Sequence, residues 1–295
     1  MTDVSVVVVT HNGGPDVTTA LNSIISGSAF AVELVVVDNQ SVDDTCQLAA
    51  QSGAVVIPLH RNIGYGGAAN VGIQAASHDV VVVANQDILV APNALARMLD
   101  NLIAAEGDGA VFSAPGLYRT NGTLAESVHA LPRLHTEAVA LAVSERMAGT
   151  RNITSQAGTY AGAWVSAAFV MARRSTWDTL GGFDPSYFMY VEDVDLFYRA
   201  HRAGVRVVWD PSAVVTHAGS SGPWSTETYC GVIRNWARYW RQRRNRKAGA
   251  YIFVMGWIGC CLRAVSFPLR APRDPRQRAY GRMYAGTAWR LMWGK

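Results

Sequence analysis

The chain has 295 residues, is 49% hydrophobic and only 16% charged, which fits one large domain or a domain with an appendage and excludes a disordered chain. Its formal charge of +4 conceals two opposed regions: residues 1–229 carry 11 Lys/Arg against 21 Asp/Glu, and residues 230–295 carry 15 against one, so the two regions suit different partners. Four cysteines, Cys46, Cys230, Cys260 and Cys261, show neither metal-ligand nor disulfide-framework spacing, which excludes a disulfide scaffold and points to a reduced, cytosolic setting.

The N-terminus, "MTDVSVVVVTHN", carries an acid at position 3 and no basic segment before its short apolar run. No secretory signal is expected, and the sequons at Asn121 and Asn152 carry no weight. Val4–Thr10 predicts a first strand, and Asp16 to Ile25 a helix. "VELVVVDN" (32–39) predicts a second strand ending at Asp38. A helix follows over Ser41–Ser52 with Ser41 as N-cap, then a third strand over 54–59. "NIGYGGAANVGIQAA" (62–76) reads as a glycine-rich loop entering a helix. "DVVVVANQDILV" (79–90) predicts a fourth strand that delivers a carboxylate with almost no turn chemistry around it. A helix over Pro92–Ala105 follows, with Pro92 near its first turn.

Continuous apolar strands alternating with helices indicate a parallel sheet covered on both faces. Ligands of such sheets bind outside the carboxyl ends of the strands. Thr10–Asn12, Asp38 and Asn85–Asp87 all fall there and should share one crevice.

Beyond this point the pattern weakens. Ala138 to Met147 suggests a helix, and 161–174 a strand or buried segment. From about Val191 a helix should run to Gly204, with an Asp195–Arg199 pair at i,i+4 and the glycine past its end. Residues 205–222 suggest two short strands split by Asp210–Pro211, with His217 after the second.

Several residues carry chemistry. On an extended chain Asn85 and Asp87 project to one side, and a carboxylate with an amide oxygen suits a hard divalent cation shared with phosphates. A solvated loop acid is an equal reading of the same spacing. The loop "GYGGAA" (64–69) matches the dinucleotide fingerprint G-x-G-x-x-A, but two strands and a polar "HRN" precede it, which weighs against an oxidoreductase. Glu192 and Asp193 open a helix, where acids complement the helix dipole. The same dipole would keep a general base ionised. A lone histidine such as His217 is more often structural than a ligand.

In order, "VVVVTHN", "VVVDNQSVDDT", "RNIGYGGAANVGI", "VVVANQDILV" and "GGFDPSYFMYVEDVDLFYRAHRAG…VVTH" resemble the family-2 glycosyltransferases with the GT-A fold, specifically their bacterial rhamnosyltransferase branch, from Val4 to Ser221. The resemblance implies an α/β, Rossmann-like, mostly parallel sheet with helices on both faces. It places the nucleobase against Thr10, Asn12 and Asp38, and the nucleotide sugar against Arg61, Asn62, Gly64 and Asn70. Asp87 takes the place of the last Asp of the family's DxD motif, with Asn85 in place of the first, and would bind Mg2+ or Mn2+ on the donor diphosphate. Asp193 takes the place of the catalytic base, supported by Glu192, and His217 that of a histidine which joins the metal or diphosphate in some relatives. The implied activity is inverting transfer of a sugar, L-rhamnose from dTDP-rhamnose, to a glycan or polyprenyl-diphosphate-linked acceptor in cell-envelope polysaccharide synthesis. A UDP-hexose or UDP-galactofuranose donor, or an inactive sugar- or lipid-binding module on the same fold, are the alternatives.

The division falls at 228/229. In the tail, Tyr229, Ile233, Trp236 and Trp240 make one helical stripe beside Arg234, Arg238 and Arg241. The uncharged run 251–262 would reach only about 18 Å as a helix, short of the ~30 Å hydrocarbon core, and is followed by Arg263, which could snorkel. Aromatics beside arginines predict a segment in the interface of an anionic membrane. The protein is thus expected to be cytoplasmic and peripherally attached to the inner face of the cell membrane. Folding of the tail onto the acidic domain and a homo-oligomer contact are alternatives, and nucleic acid is not expected as a partner.

Overall fold

A computed structural model describes residues 4–125, 128–143, 156–219, 225–270 and 273–294. The elements among them run in chain order β1 (Val4–Thr10), α1 (Pro15–Gly27), β2 (Val32–Asp38), α2 (Thr45–Gln51), β3 (Val55–Pro58), α3 (Tyr65–Ala75), β4 (Val80–Asn85), β5 (Ile88–Val90), α4 (Ala94–Ala105), β6 (Val111–Tyr118), β7 (Val128–Ala130), α5 (Leu134–Ala142), β8 (Gly158–Tyr160), β9 (Ala163–Val165), β10 (Phe169–Arg173), α6 (Arg174–Leu180), α7 (Glu192–Arg202), β11 (Arg206–His217), α8 (Thr226–Arg243), α9 (Arg246–Arg270) and α10 (Pro275–Trp293). The chain divides into two compact units, one of Met1–Leu131, Asn152–Phe188 and Glu192–Gly219, the other of Pro132–Arg151, Met189–Val191 and Ser220–Lys295. The end of the helix expected at Met147, the sequon Asn152 and Ser221 lie outside the described residues.

The first unit is built on one sheet in the order β3-β2-β1-β4-β10-β6-β11-β5, with β8 on β11. The four strands from β3 to β4 are parallel, and β10 enters antiparallel to β4. Every residue of β1 is buried. Because strand side chains alternate, Val4, Val6 and Val8 pack with α1 and α4 on one face, while Val7 and Val9 pack with α3 on the other. Helices on both faces are the reason these strands read as unbroken valine runs.

Three expected elements differ. The segment 79–90 is two strands: the chain turns at Gln86–Asp87, and β5 pairs antiparallel with β11 while β4 stays beside β1. Residues 161–174 are also two strands, β9 and β10, in separate sheets. Conversely, residues 206–217 form one strand that tolerates Pro211 through an irregularity between Asp210 and Val214. Proline cannot donate to a ladder, so the strand bulges there, and the Asp210 carboxylate caps the bulge by accepting from Ser212 N (2.8 Å).

In the second unit α8, α9 and α10 share a small core of Cys230, Ile233, Cys260 and Leu291. Ile233 and Trp240 of the expected stripe are buried, while Tyr229 and Trp236 are half-buried. Helix α9 has 25 residues, about 37 Å at 1.5 Å per residue. The 18 Å reach inferred from the uncharged run is therefore too short, and α9 is long and apolar enough to cross a membrane by length and composition. Arg263 does not end the helix or reach for solvent. Its guanidinium donates to the carbonyls of Leu141 (2.5 Å), Val143 (3.1 Å) and Ala140 (3.2 Å), which α5 leaves unpaired at its C-terminal end.

Gly72 is where α3 meets the sheet. A Cβ there would collide with Val7 Cγ1 and lie 3.0 Å from Val37 Cγ2. Gly72→Ala should lower stability by about 1–3 kcal/mol, because a packed sheet face cannot give way. An unchanged urea midpoint would show that α3 is not seated as described.

Candidate active site

Strand register places the first residues of the site. Thr10 of β1 lies opposite Asp38 of β2, and Val9 lies opposite Asn85 of β4, so the three strands end at one level. Asp38 is 2% exposed. Its Oδ1 accepts from Thr10 Oγ1 (3.1 Å) and Ser41 Oγ (2.5 Å), and its Oδ2 accepts from Ser41 N (2.9 Å). This local turn takes the donors of Ser41, so Ser41 does not cap a helix and α2 begins only at Thr45. Asn12, in left-handed conformation with φ 50°, donates its N–H to Ser41 Oγ (2.7 Å) and accepts from Val42 N through Oδ1 (2.9 Å). Thr10 and Asn12 thus brace Asp38 and the loop after it.

The glycine-rich loop is held by side-chain amides. Asn62 Oδ1 accepts from Gly64 N (3.0 Å) and from Asn39 Nδ2 (2.9 Å), and Asn39 Oδ1 accepts from Ile63 N (2.9 Å). Gly64 has φ +82°, and a Cβ there would run into the carbonyl of Phe188, so no other residue fits without moving backbone. Arg61 is exposed at the start of the loop. Asn70 does something different: its amide accepts from Phe183 N (2.8 Å) and donates to Phe183 O (2.8 Å). Both ends of that amide are committed to the Phe183 backbone, so Asn70 latches α3 to the turn at Gly181–Gly182.

Asn85 and Asp87 do not meet through extended-chain alternation, because the turn at Gln86–Asp87 intervenes. Pairing brings their partner instead: His217 of β11 lies opposite Ile88 of β5, one residue past Asp87. His217 Nε2 lies 3.2 Å from Asp87 Oδ1 and 3.1 Å from the Asn85 amide nitrogen. Gly219 N donates to Asp87 Oδ2 (3.1 Å). Burial pushes the Asp87 carboxyl up, but the hydrogen bond and charge of His217 and the backbone N–H groups outweigh it and hold the group below its ordinary value. Asp87 Oδ1 and the Asn85 amide, both within 3.2 Å of His217 Nε2, are groups that could contribute to a cation site. Among the described residues no three His, Cys, Asp or Glu side chains converge into a full one, so phosphate oxygens would have to complete the coordination.

The acids at the start of α7 sit differently. Glu192 is 7% exposed and its Oε2 has no hydrogen-bond partner. The residue before it, Val191, has φ 72°, a costly conformation for a β-branched side chain. Burial and then the neighbouring Asp193 charge push Glu192 up to about 8. Burial pushes Asp193 up to about 6, against the N–H groups of Val194 and Ala167 that pull it back. The two adjacent carboxyls titrate as a pair, and burial raises the proton affinity of both.

Segment Ala167–Ala168 joins the two halves. Asn85 N donates to Ala168 O (2.9 Å), and the Ala167 N–H is among the groups that pull the Asp193 value down. Sequence reasoning missed these two alanines, which carry no chemical signal. It also missed Gln86, whose Oε1 accepts from His11 N (2.8 Å) and whose position between Asn85 and Asp87 was the available hint.

The chain matches glycosyl transferase family 2 over residues 5–168, which includes Asp38, Asn85 and Asp87 and stops short of Glu192. It is 32% identical over 237 residues to the N-acetylglucosaminyl-diphospho-decaprenol L-rhamnosyltransferase of Mycobacterium tuberculosis, covering 74% of this chain and 76% of that one. It is 41% identical over 54 residues to the rhamnosyltransferase WbbL of Escherichia coli, 18% of this chain and 20% of that one. Among solved structures, the mannosyltransferase PcManGT from Pyrobaculum calidifontis, in complex with GDP-Man and Mn2+, superposes with TM-score 0.58 at 18% identity over 99% of this chain and 87% of that one. Residues 1–349 of TarS from S. aureus with UDP-GlcNAc superpose with TM-score 0.55 at 16% identity, covering 99% and 81%. At these identities the structures attest the fold.

The raised Glu192 yields a prediction with a definite sign. Its folded value lies above the unfolded value of about 4.3, so its contribution to stability is whole below that value and is lost as pH rises through the folded value. Glu192→Gln has no proton to lose. Its melting temperature relative to wild type should be higher at pH 8.5 than at pH 5 by roughly 2–4 °C. A difference independent of pH would show that Glu192 is not buried as an acid.

Proposed function

The chain belongs to glycosyl transferase family 2, and from that premise we propose that it is an inverting rhamnosyltransferase acting on a lipid-linked acceptor. It would move L-rhamnose from dTDP-rhamnose to a hydroxyl of an N-acetylglucosaminyl-diphospho-polyprenol in cell-envelope polysaccharide synthesis. The M. tuberculosis relative, aligned over three quarters of both chains, supports this choice of sugar and acceptor.

The acceptor hydroxyl is a poor nucleophile and needs a carboxylate base. Asp193, at the start of α7, takes this role: it accepts from the Val194 N–H through Oδ1 (2.8 Å), which favours its ionised form against burial. It takes the hydroxyl proton as the oxygen attacks the anomeric carbon, and the bond to the diphosphate oxygen breaks with its electron pair leaving on the nucleotide. One displacement inverts the carbon. Asp38, braced by Thr10 and Ser41, would hold the nucleobase, and the Asn62–Gly64 turn with Arg61 would line the diphosphate sugar. Asp87 with Asn85 and His217 would hold Mg2+ or Mn2+, which neutralises charge on the diphosphate. The observation that supports these roles is the convergence of Thr10, Asp38 and Asn85 at the carboxyl ends of adjacent strands, with His217 brought to Asp87, since a fixed arrangement of groups is a large part of catalysis.

The test is release of dTDP from dTDP-rhamnose with a GlcNAc-diphospho-lipid and a divalent cation. Wild type should release it, and Asp193→Asn should be slower by about 10²–10⁴-fold with donor binding kept. Release from UDP-hexoses alone would reject the donor, and a tenth of wild-type turnover in the variant would reject the base.

We further propose that residues 229–295 attach the catalytic region, residues 1–228, to the inner face of the cytoplasmic membrane. Tyr251, Val254, Leu262, Val265 and Leu269 are exposed along one side of α9, and Trp289, Met292 and Trp293 along the end of α10. The opposite side of α9, with Ile252, Gly256, Gly259 and Cys260, is buried within its own unit. A helix packed on one side and apolar on the other, in a region with 15 basic residues, suits an anionic interface better than a span. The protein should pellet with anionic vesicles at low salt and less with neutral ones. Leu262→Glu/Val265→Glu should weaken pelleting. Equal pelleting of the double variant would mean another surface holds the lipid.

A further inference from the structure

The ladder between β1 and β4 ends at Val9 and Asn85, yet the chain just beyond β1 is still held. Thr10 O accepts from Asn39 N (2.7 Å) on the β2 side. Successive residues of a strand point their N–H and C=O groups to opposite sides, so those of His11 face β4. The β4 backbone has already turned away at Gln86–Asp87. The Gln86 side chain takes its place: its Oε1 accepts from His11 N (2.8 Å) and its Nε2 donates to His11 O (3.3 Å). One amide thus supplies both partners that more β4 backbone would have given. The same amide lies over Gly13, where a Cβ would come 2.7 Å from Oε1 and 3.0 Å from Cδ.

We propose that Gln86 is a positioning residue for donor binding, its amide keeping the loop after β1 at one spacing from the turn that carries Asp87. The inference rests on the reading of Asp38 as the nucleobase contact and of Asp87 as a cation ligand. On one side, Gln86 is the chain neighbour of both Asn85 and Asp87, and His217 Nε2 lies 3.2 Å from Asp87 Oδ1. On the other side, the residue it holds is fixed to the end of β2: His11 Nδ1 lies 2.9 Å from Asn39 O. The next residue, Asn12, donates its N–H to Ser41 Oγ (2.7 Å), and that hydroxyl donates to Asp38 Oδ1. Every step from Asp87 to Asp38 is therefore a chain neighbour or a hydrogen bond, and Gln86 is the step that crosses from one loop to the other.

With oxygen and nitrogen both turned onto His11, the amide sets a distance. A nucleoside diphosphate must reach Asp38 with its base and the cation at Asp87 with its phosphates at once. The gain from joining two contacts in one ligand is largest when their spacing is fixed, and it falls when one end drifts. A nucleoside or a pyrophosphate engages one end alone and is indifferent to the spacing. The two halves of the donor therefore report on the two loops, and only the joined molecule reports on the tether.

Methionine is the informative replacement, because it keeps the length of the side chain and removes both bonds. Gly13→Ala reaches the same amide from the other side, pressing a methyl group against it where φ is not positive. Affinities for dTDP, thymidine and inorganic pyrophosphate are measured with and without Mn2+ in wild type, Gln86→Met, Gly13→Ala and Asp87→Ala, each with its melting temperature. UDP and uridine run alongside, so that a different base does not read as a failed tether. In the first two variants thymidine and Mn2+-pyrophosphate should bind within about twofold of wild type, while the gain that Mn2+ gives to dTDP should fall about tenfold, the size of two lost hydrogen bonds. The His11 amide should also exchange its hydrogen faster in Gln86→Met. That pattern supports the tether. An unchanged Mn2+ gain in both variants, with the gain lost in Asp87→Ala, overturns it and leaves the cation reading standing. An equal fall in pyrophosphate affinity also overturns it, because Gln86 would then act on the turn alone. A wild-type Mn2+ gain in Asp87→Ala overturns the cation reading and the tether with it.

Discussion

The sheet core constrains everything else in the first unit. Strands β1, β2 and β4 lie side by side with helices on both faces, and the interior of β1 and β4 offers no water to any side chain. A polar group within those strands would be desolvated without a partner. Ser5 and Glu33 at the start of the sheet solve this by bonding to each other, and the remaining polar groups are displaced to the carboxyl ends. Thr10, Asp38 and Asn85 arrive there at one level because parallel register leaves them no other place. The shared level of these polar residues thus follows from packing before any ligand is considered.

The acids of α7 show the opposite choice. Glu192 is buried with one oxygen unpaired, and it follows two left-handed residues, Tyr190 and Val191. Both features work against stability. They also create a pair of adjacent carboxyls whose proton affinities burial raises, Glu192 further by the neighbouring Asp193 charge. Asp195, two residues on, takes the ordinary route and pairs with Arg199 at 2.8 Å. The contrast within one helix separates an acid spent on an ion pair from the two acids of the proposed catalytic pair.

The second unit manages its charge in the same economical way. Arg263 sits in the middle of an apolar helix, yet its guanidinium is consumed by the carbonyls that end α5. Arg290 pairs with Glu227 at 2.5 Å, and the Arg243 guanidinium lies over the Tyr239 ring. The helices of this unit bury Cys230, Ile233, Cys260 and Leu291 together, with Tyr239, Trp240 and Ile252 also buried, while Leu262, Val265, Leu269, Trp289 and Trp293 are exposed. The proposed lipid surface would cover those side chains.

The sequence by itself determined the parallel strands, the level of Asp38 and Asn85 at their ends, and the family, because valine periodicity and polar termination are local signals. It also singled out Asp193, through its place at a helix start in a resembled motif. Where the chain turned without a signal, local reading failed. Ser41 looks like a cap and instead serves Asp38, a choice made by a neighbouring strand. The run 79–90 looks like one strand and is two, because β5 finds its partner in β11, more than a hundred residues later. The same pairing alone brought His217 to Asp87. Ala167 and Ala168 have no side-chain chemistry to read, and only the tertiary structure shows Asn85 and Tyr65 bonded to their carbonyls. Backbone donors and acceptors are identical at every position, so their roles are decided by what folding brings beside them.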